Sequence, residues 1–178
     1  MIKKMMPFVH ATNIYDINVG FYKQFNIKYL FIDLDNTLDS YKTKVPSLRA
    51  KELITLLKEN GIEPIIISNN SNSRVLNYAN ALGVECLHSA RKPFAYKIKK
   101  MLAARNIDVN EVMMVGDQMV TDIPAANRAH IKSILTDKLV KEDQPTTHIN
   151  RLIERPFRSY CNRKHKFTEW RDIYNGED

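Results

Sequence analysis

The sequence predicts an α/β fold with a mainly parallel central sheet and helices on both of its faces. Three observations predict it. Short apolar, β-branched runs alternate with segments of helical periodicity. The 178 residues are 44% hydrophobic, enough for a sizeable core. Several strand-like runs end directly in carboxylate, hydroxyl or glycine residues, the pattern expected where such sheets bind ligands at their carboxyl edge.

Taken in order, residues 27–32 (IKYLFI) read as a buried strand running into Asp33. Residues 46–60 read as a helix: Pro46 suits a first turn, Leu53, Leu56 and Leu57 form a stripe, and Gly61 suits the stop. Residues 62–67 (IEPIII) are a second strand ending at Ser68, and 72–82 a helix closed by Gly83. A short strand at 84–87 and a helix at 93–105 follow. Residues 111–115 (EVMMV) form a fourth strand before Gly116-Asp117, then come a short helix at 123–128 and a fifth strand at 130–135. Strands alternating with helices imply right-handed crossovers and a parallel sheet.

Both ends lie outside this 27–150 core. Within an N-terminal segment, 1–26, residues 8–26 carry Ile14, Ile17, Phe21 and Phe25 at three- and four-residue spacing. That spacing predicts one amphipathic helix packed on the core, weakened by Gly20, with a membrane or partner surface as the alternative berth. The tail, 151–178, is basic and aromatic, and Pro156 should break it. Docking on the core is the preferred reading of the tail. The alternative is RNA binding, with Phe157, Tyr160 and Trp170 stacking on bases between Arg158, Arg163 and Lys166.

Composition excludes several classes. No run reaches the length of a membrane span. The N-terminus is positively charged but Pro7, His10, Asn13 and Asp16 interrupt any signal-peptide apolar region, so a cytosolic chain is expected. Cys86 and Cys161 belong to no CxxC pair; neither a disulfide framework nor a zinc site follows, and Cys86 is expected as a small buried core residue. The net charge of +7 is uneven: residues 91–105 hold six basic side chains and no acid. Such a surface attracts anions.

The strand ends carry the chemistry. They are Asp33-Leu34-Asp35-Asn36-Thr37, Ser68-Asn69-Asn70, Lys92 before a helix, and Gly116-Asp117 with Asp122 five positions on. Close carboxylates repel one another unless a cation neutralises them, and oxygen ligands suit Mg²⁺, which leaves positions for a phosphate. A lysine and a serine hydroxyl can hold the remaining phosphoryl oxygens. One carboxylate can then attack phosphorus while a second, two residues on, moves the proton. Each piece alone is more readily a helix cap or a surface side chain; all four in order, each at a strand end or helix start, argue for chemistry.

These motifs resemble those of the haloacid dehalogenase (HAD) superfamily of phosphohydrolases. Its hhhhDxDxT motif is similar to Leu30–Thr37, its Ser/Thr after a strand to Ser68, its Lys before a helix to Lys92, and its GDxxxxD to Gly116–Asp122. The resemblance implies a three-layer Rossmannoid fold with Asp33 as nucleophile and Asp35 as general acid/base. It also implies Mg²⁺ on Asp33, Asp117 and the Asp35 carbonyl, with Asp122 supporting. Ser68, Asn69 and Lys92 would hold phosphate, and Thr37 would brace the loop. An aspartate at position 35 marks phosphatases and mutases and is lacking in dehalogenases.

The gaps between motifs are short, so a capless enzyme with an open site is expected, covered only by residues 39–47. DLDNTL, SNN, RKP and GDQxxTDI together resemble the YqeG-like branch of subclass IIIA, similar to phosphatidylglycerophosphate phosphatases, over about residues 7–155. The implied substrate is a lipid headgroup phosphate, met at the inner face of the cell membrane. Alternatives are a phosphoprotein, a nucleic-acid end or a small phosphometabolite. A rival of another class is a catalytically silent RNA- or membrane-binding protein. A phospho-receiver domain and a Rossmann dehydrogenase fit less well, for want of a role for Asp35 and of a GxGxxG after the first strand.

Overall fold

Alternation along the strands decides the layering. In the computed structural model, which describes residues 5–140, 155–156, 158–159 and 167–176, six strands form one sheet. They are β1 (Val9–Ala11), β2 (Tyr29–Ile32), β3 (Glu63–Ile67), β4 (Glu85–Leu87), β5 (Val112–Gly116) and β6 (Lys132–Thr136). Their order is β1-β6-β5-β2-β3-β4, and every pairing is parallel. Leu30, Ile32, Ile66, Met113 and Val115 face one apolar cluster, whereas Phe31, Ile65, Ile67, Val112 and Met114 face another. A strand buried on both faces reads as a continuous apolar run, as β2, β3 and β5 do.

Helices α1 (Val19–Gln24), α2 (Leu48–Glu59) and α3 (Asn72–Leu82) cover the first face, with Phe21, Leu57 and Tyr78 among their buried residues. Helices α4 (Tyr96–Ala104) and α5 (Asp122–Ala129) cover the second through Ile98, Leu102, Ala125 and Ala126. The expected three layers and parallel sheet are therefore present. No domain is inserted between β2 and β3 or between β3 and β4, as the short gaps predict. Element ends differ by a few residues. Helix α2 starts after Pro46 because the Ser47 hydroxyl accepts the Ala50 N–H and sets the cap there. Gly83 ends α3 at φ 62°, in the left-handed region where glycine carries no Cβ penalty.

The N-terminal segment is not one helix. Val9–Ala11 pairs with β6 as a sixth, edge strand. A 3₁₀ turn (Ile14–Asp16) and the six-residue α1 follow, each opened by its own cap. Asn13 accepts from the Tyr15 and Asp16 N–H groups, and Asn18 accepts from Gly20. The two asparagines restart the chain direction within a spacing that mimics one helix. Ile14, Ile17, Phe21 and Tyr22 are buried in the core. Cys86 is half-buried, because β4 pairs only with β3 and lies at the sheet edge.

The C-terminal segment also joins the domain. Glu169 bridges to His10 on β1, and the His10 N–H donates to the Thr168 carbonyl at 2.8 Å. The His10 ring meets Glu169 at 2.8 Å and Asp137 at 3.4 Å and stacks on Phe167. A short helix α6 (Trp170–Ile173) follows, and Trp170 is 1% exposed against Phe21 and Tyr174. Trp170 is thus unavailable for stacking on bases. Phe157, Tyr160, Cys161, Arg163 and Lys166 lie outside the described residues.

Trp170→Ala is expected to cost about 3–5 kcal/mol, the usual loss for emptying a buried aromatic site. Denaturant unfolding followed by far-UV circular dichroism measures it, and a loss below 1 kcal/mol, roughly the scale of surface substitutions, would show that the segment does not belong to the core.

Candidate active site

The sheet reverses its winding between β2 and β5: the chain moves from β2 to β3 on one side and from β5 to β6 on the other. Open parallel sheets bind ligands at the carboxyl end of such a reversal. Asp33 stands there directly after β2, and its N–H continues the ladder by donating to the Val115 carbonyl at 2.9 Å. Asp117 follows β5 at once, and Asp122 opens α5. One carboxylate oxygen from each of Asp33, Asp117 and Asp122 lies within 4.8 Å of the others, and all three residues are buried.

Lys92 enters this cluster from the loop after β4. Its Nζ lies 2.5 Å from Asp33 Oδ1 and 2.7 Å from Asp122 Oδ1, and it donates to the Ile67 carbonyl at 2.9 Å. The three donors of the ammonium are therefore directed at three acceptors. Burial opposes its charge, but Asp122 and Asp33 outweigh that and hold its pKa above the ordinary lysine range. Burial pushes the Asp33 carboxyl well up; Lys92 opposes the rise, while Asp122, Asp117 and Asp35 add to it. Three carboxylates against one ammonium leave the pocket short of positive charge. Asp33 Oδ2 is buried without a hydrogen-bond donor. An oxygen-rich, under-neutralised pocket of this kind fits a hard divalent cation.

Asp35 faces elsewhere. Its Oδ1 pairs with Arg74 Nη1 at 2.7 Å, and its Oδ2 accepts from Asn70 Nδ2 at 2.5 Å. Its side chain is outside the three-acid cluster, so only its backbone could serve a cation held there. Burial raises its pKa, and Arg74 restrains the rise. Neither Arg74 nor Asn70 is readable as a site residue from spacing alone. The signal that could have found Arg74 is its place on the first turn of α3, three residues after the cap Ser71, at the carboxyl edge.

Ser68 is buried, and its Oγ accepts the Asn70 N–H at 3.1 Å, leaving its own proton to offer. Asn69, expected to bind phosphate, instead spends its side chain on the Lys92 backbone. Its Oδ1 accepts the Lys92 N–H at 2.7 Å and its Nδ2 donates to the Lys92 carbonyl at 2.9 Å. Both amide groups are taken because Lys92 sits in an irregular loop whose backbone has no strand partner there. Asn69 thereby fixes where the ammonium enters. Thr37, in the loop after β2, is fully buried. That loop is held by Asp39, which accepts from the Ser47 N–H at 2.9 Å and from the Tyr78 hydroxyl at 2.5 Å.

Two further features support the cluster. A Cβ on Gly116 would collide with the Asp122 side chain, so the glycine allows Asp122 to fold over the end of β5. Asp122 Oδ2 also accepts the Gln118 N–H at 3.0 Å, closing the turn between β5 and α5. Arg158, outside the motif region, reaches the Asp117 carbonyl at 3.3 Å and the Thr136 carbonyl at 3.1 Å, and pairs with Asp137 at 2.5 Å.

This fold and site define a hydrolase of the HAD type. The chain belongs to the haloacid dehalogenase-like hydrolases, whose family pattern matches residues 38–130. The probable phosphatase YqeG of Bacillus subtilis (strain 168) is 32% identical over 165 residues, spanning 92% of this chain and 96% of that protein. Among solved structures, an uncharacterized protein of Listeria monocytogenes serotype 4b superposes with a TM-score of 0.53 at 22% identity, over 67% of this chain and 85% of that one. The 3-deoxy-D-manno-octulosonate 8-phosphate phosphatase of Yersinia pestis does so with a TM-score of 0.54 at 18% identity, over 74% and 73%. At these identities the two structures attest the shared fold.

Gly116→Ala is expected to destabilise by about 1–3 kcal/mol, the usual cost of overpacking a tight site. Thermal unfolding checks it; an unchanged melting temperature would show that Asp122 yields freely.

Proposed function

We propose that the chain is a Mg²⁺-dependent phosphomonoester hydrolase that works through an aspartyl-phosphate on Asp33, with a lipid headgroup phosphate as its substrate. The observation that carries the chemistry is the Lys92 ammonium bridging Asp33 and Asp122 inside a three-carboxylate pocket in which Asp33 Oδ2 has no donor. Asp33, Asp117 and Asp122 would hold the cation. When bound, Mg²⁺ lowers repulsion between the incoming phosphate and the carboxylates and offsets charge on the phosphoryl oxygens.

The residues divide the reaction as follows. Lys92 and the Ser68 hydroxyl orient the phosphoryl oxygens. An Asp33 carboxylate oxygen attacks phosphorus, the bond from phosphorus to the leaving oxygen breaks, and Asp35 gives that oxygen its proton. Water then attacks phosphorus, Asp35 takes a proton from it, and the bond to Asp33 breaks to release phosphate. Arg74 and Asn70 hold Asp35 by both oxygens, so they act as positioning residues for the acid/base step. Asn69 does the same for Lys92.

The lipid reading is supported by the resemblance of the motifs to those of phosphatidylglycerophosphate phosphatases, by the lack of an inserted cap, and by basic segments beside the site. An uncovered site suits a phosphate carried on a large or surface-bound molecule. No described helix is long and apolar enough to cross a membrane.

Phosphate release with Mg²⁺ should be fastest on phosphatidylglycerophosphate in a panel that includes a phosphopeptide, a polynucleotide end phosphate and sugar phosphates. Asp33→Asn should abolish turnover while leaving the circular dichroism spectrum unchanged. Turnover of another member of the panel but not of the lipid removes the lipid reading. No turnover of any member favours a binding protein with a silent site.

Arg74→Ala should lower kcat/KM about tenfold more for an alkyl phosphate than for p-nitrophenyl phosphate, because general-acid catalysis matters most for a poor leaving group. Equal losses on both would show that Arg74 serves binding or folding rather than proton delivery.

A further inference from the structure

The large apolar side chains left most exposed are not scattered. Val45, Leu48, Phe94 and Tyr96 are 66%, 73%, 67% and 75% exposed, above every other large apolar residue described. All four lie at the carboxyl edge of the sheet, where the site opens. Val45 and Leu48 flank Ser47, the cap of α2, on one face. Phe94 and Tyr96 stand at the start of α4 on the other, with Phe94 two residues beyond Lys92. The site lies between the two pairs, because α2 and α4 cover opposite faces of the sheet that carries Asp33.

The loops that present them are held in place. Arg128 Nη1 donates to the Pro93 carbonyl at 2.6 Å, and Asn69 clamps the Lys92 backbone, so Phe94 projects from a supported turn. On the other side the Ser47 N–H is held by Asp39, and the Arg49 guanidinium lies 4.6 Å from the Tyr15 ring centre. Apolar exposure on supported loops is a feature to be explained by a partner.

Charge narrows the partner. Residues 40–51 contain Lys42, Lys44, Arg49 and Lys51 and no acid. Residues 89–107 contain Arg91, Lys97, Lys99 and Lys100 among their bases and again no acid. Apolar side chains interleaved with basic ones suit the boundary of an anionic bilayer. The apolar groups enter the headgroup region, and the bases are drawn to the anionic surface. The N-terminal segment cannot fill this role, since Ile14, Ile17 and Phe21 are buried in the core.

We infer that this two-sided rim docks the protein on an anionic lipid surface with the Asp33 pocket facing the headgroups. The inference deepens the lipid reading above and rests on it for its purpose; its content rests on the exposure and charge of the rim. A terminal headgroup phosphate would then reach Asp33 without leaving the bilayer, which an open site permits.

The test uses the full chain carrying Asp33→Asn, floated with vesicles of phosphatidylcholine alone or mixed with phosphatidylglycerol. Retention is expected on the mixed vesicles only. It should fall about tenfold in the Phe94→Ser/Tyr96→Ser double variant, the scale expected for withdrawing two apolar side chains from the interface. The same double variant in the otherwise wild-type enzyme should keep its activity on p-nitrophenyl phosphate and lose activity on vesicle-borne phosphatidylglycerophosphate. No retention on mixed vesicles overturns the docking proposal, and so does retention that Ser substitutions at all four rim positions leave unchanged. The two readings fail separately. Hydrolysis of the lipid in detergent micelles without vesicle retention removes docking and keeps the substrate. Rim-dependent retention without hydrolysis in micelles or vesicles removes the substrate and keeps docking.

Discussion

An ammonium buried among three carboxylates is the constraint around which the rest of the molecule is arranged. Taking such groups out of water costs several kcal/mol per ion unless each finds partners with good geometry. Lys92 meets that condition with two carboxylates and a strand-end carbonyl. Lys92 and its partners come from four separate stretches of chain, after β2, at the end of β3, and after β4 and β5, and only a parallel sheet brings those ends to one edge. The fold's apolar layers thus place the charges, and the charges in turn dictate small structural details. Gly116 leaves room for Asp122, Asn69 feeds Lys92 inward, and the Asp33 N–H is tied to β5.

The same pocket separates two neighbouring aspartates into different environments. Asp33 and Asp35 are two residues apart, and a turn places one in the acid cluster and the other against Arg74 and Asn70. One carboxylate stands beside an ammonium in the three-acid cluster; the other is held by a guanidinium and an amide. That division of surroundings would suit the two roles proposed above for one short motif. The loop after β2 keeps the division fixed through Asp39, Tyr78 and the cap of α2.

Described residues from both chain ends pack on the core. The first strand adds an edge to the sheet, and residues 167–176 close over it through Glu169, Phe167 and Trp170. Arg158 reaches back to the Asp117 carbonyl. Among the described residues, the four most exposed large apolar side chains are Val45, Leu48, Phe94 and Tyr96.

How much of this was legible in the sequence varied with the physics behind each signal. The central strands, their order along the chain and the residues at their ends were readable, because a two-sided buried strand must be an apolar run and chemistry must follow it. Asp33, Lys92, Asp117 and Asp122, all singled out on that ground, come together in the fold. The N-terminal segment was not legible, since apolar spacing of three and four residues is shared by one helix and by a strand, a turn and a short helix restarted by Asn13 and Asn18. Spacing also cannot show that the Asn69 side chain bonds the Lys92 backbone or that Arg74 pairs with Asp35. The sequence alone determined which chemical groups this protein possesses and that they collect at one sheet edge. Tertiary structure alone decided which of them touch, because contact between Asp35 and Arg74, or between Asp117 and Arg158, depends on packing between segments far apart in the chain.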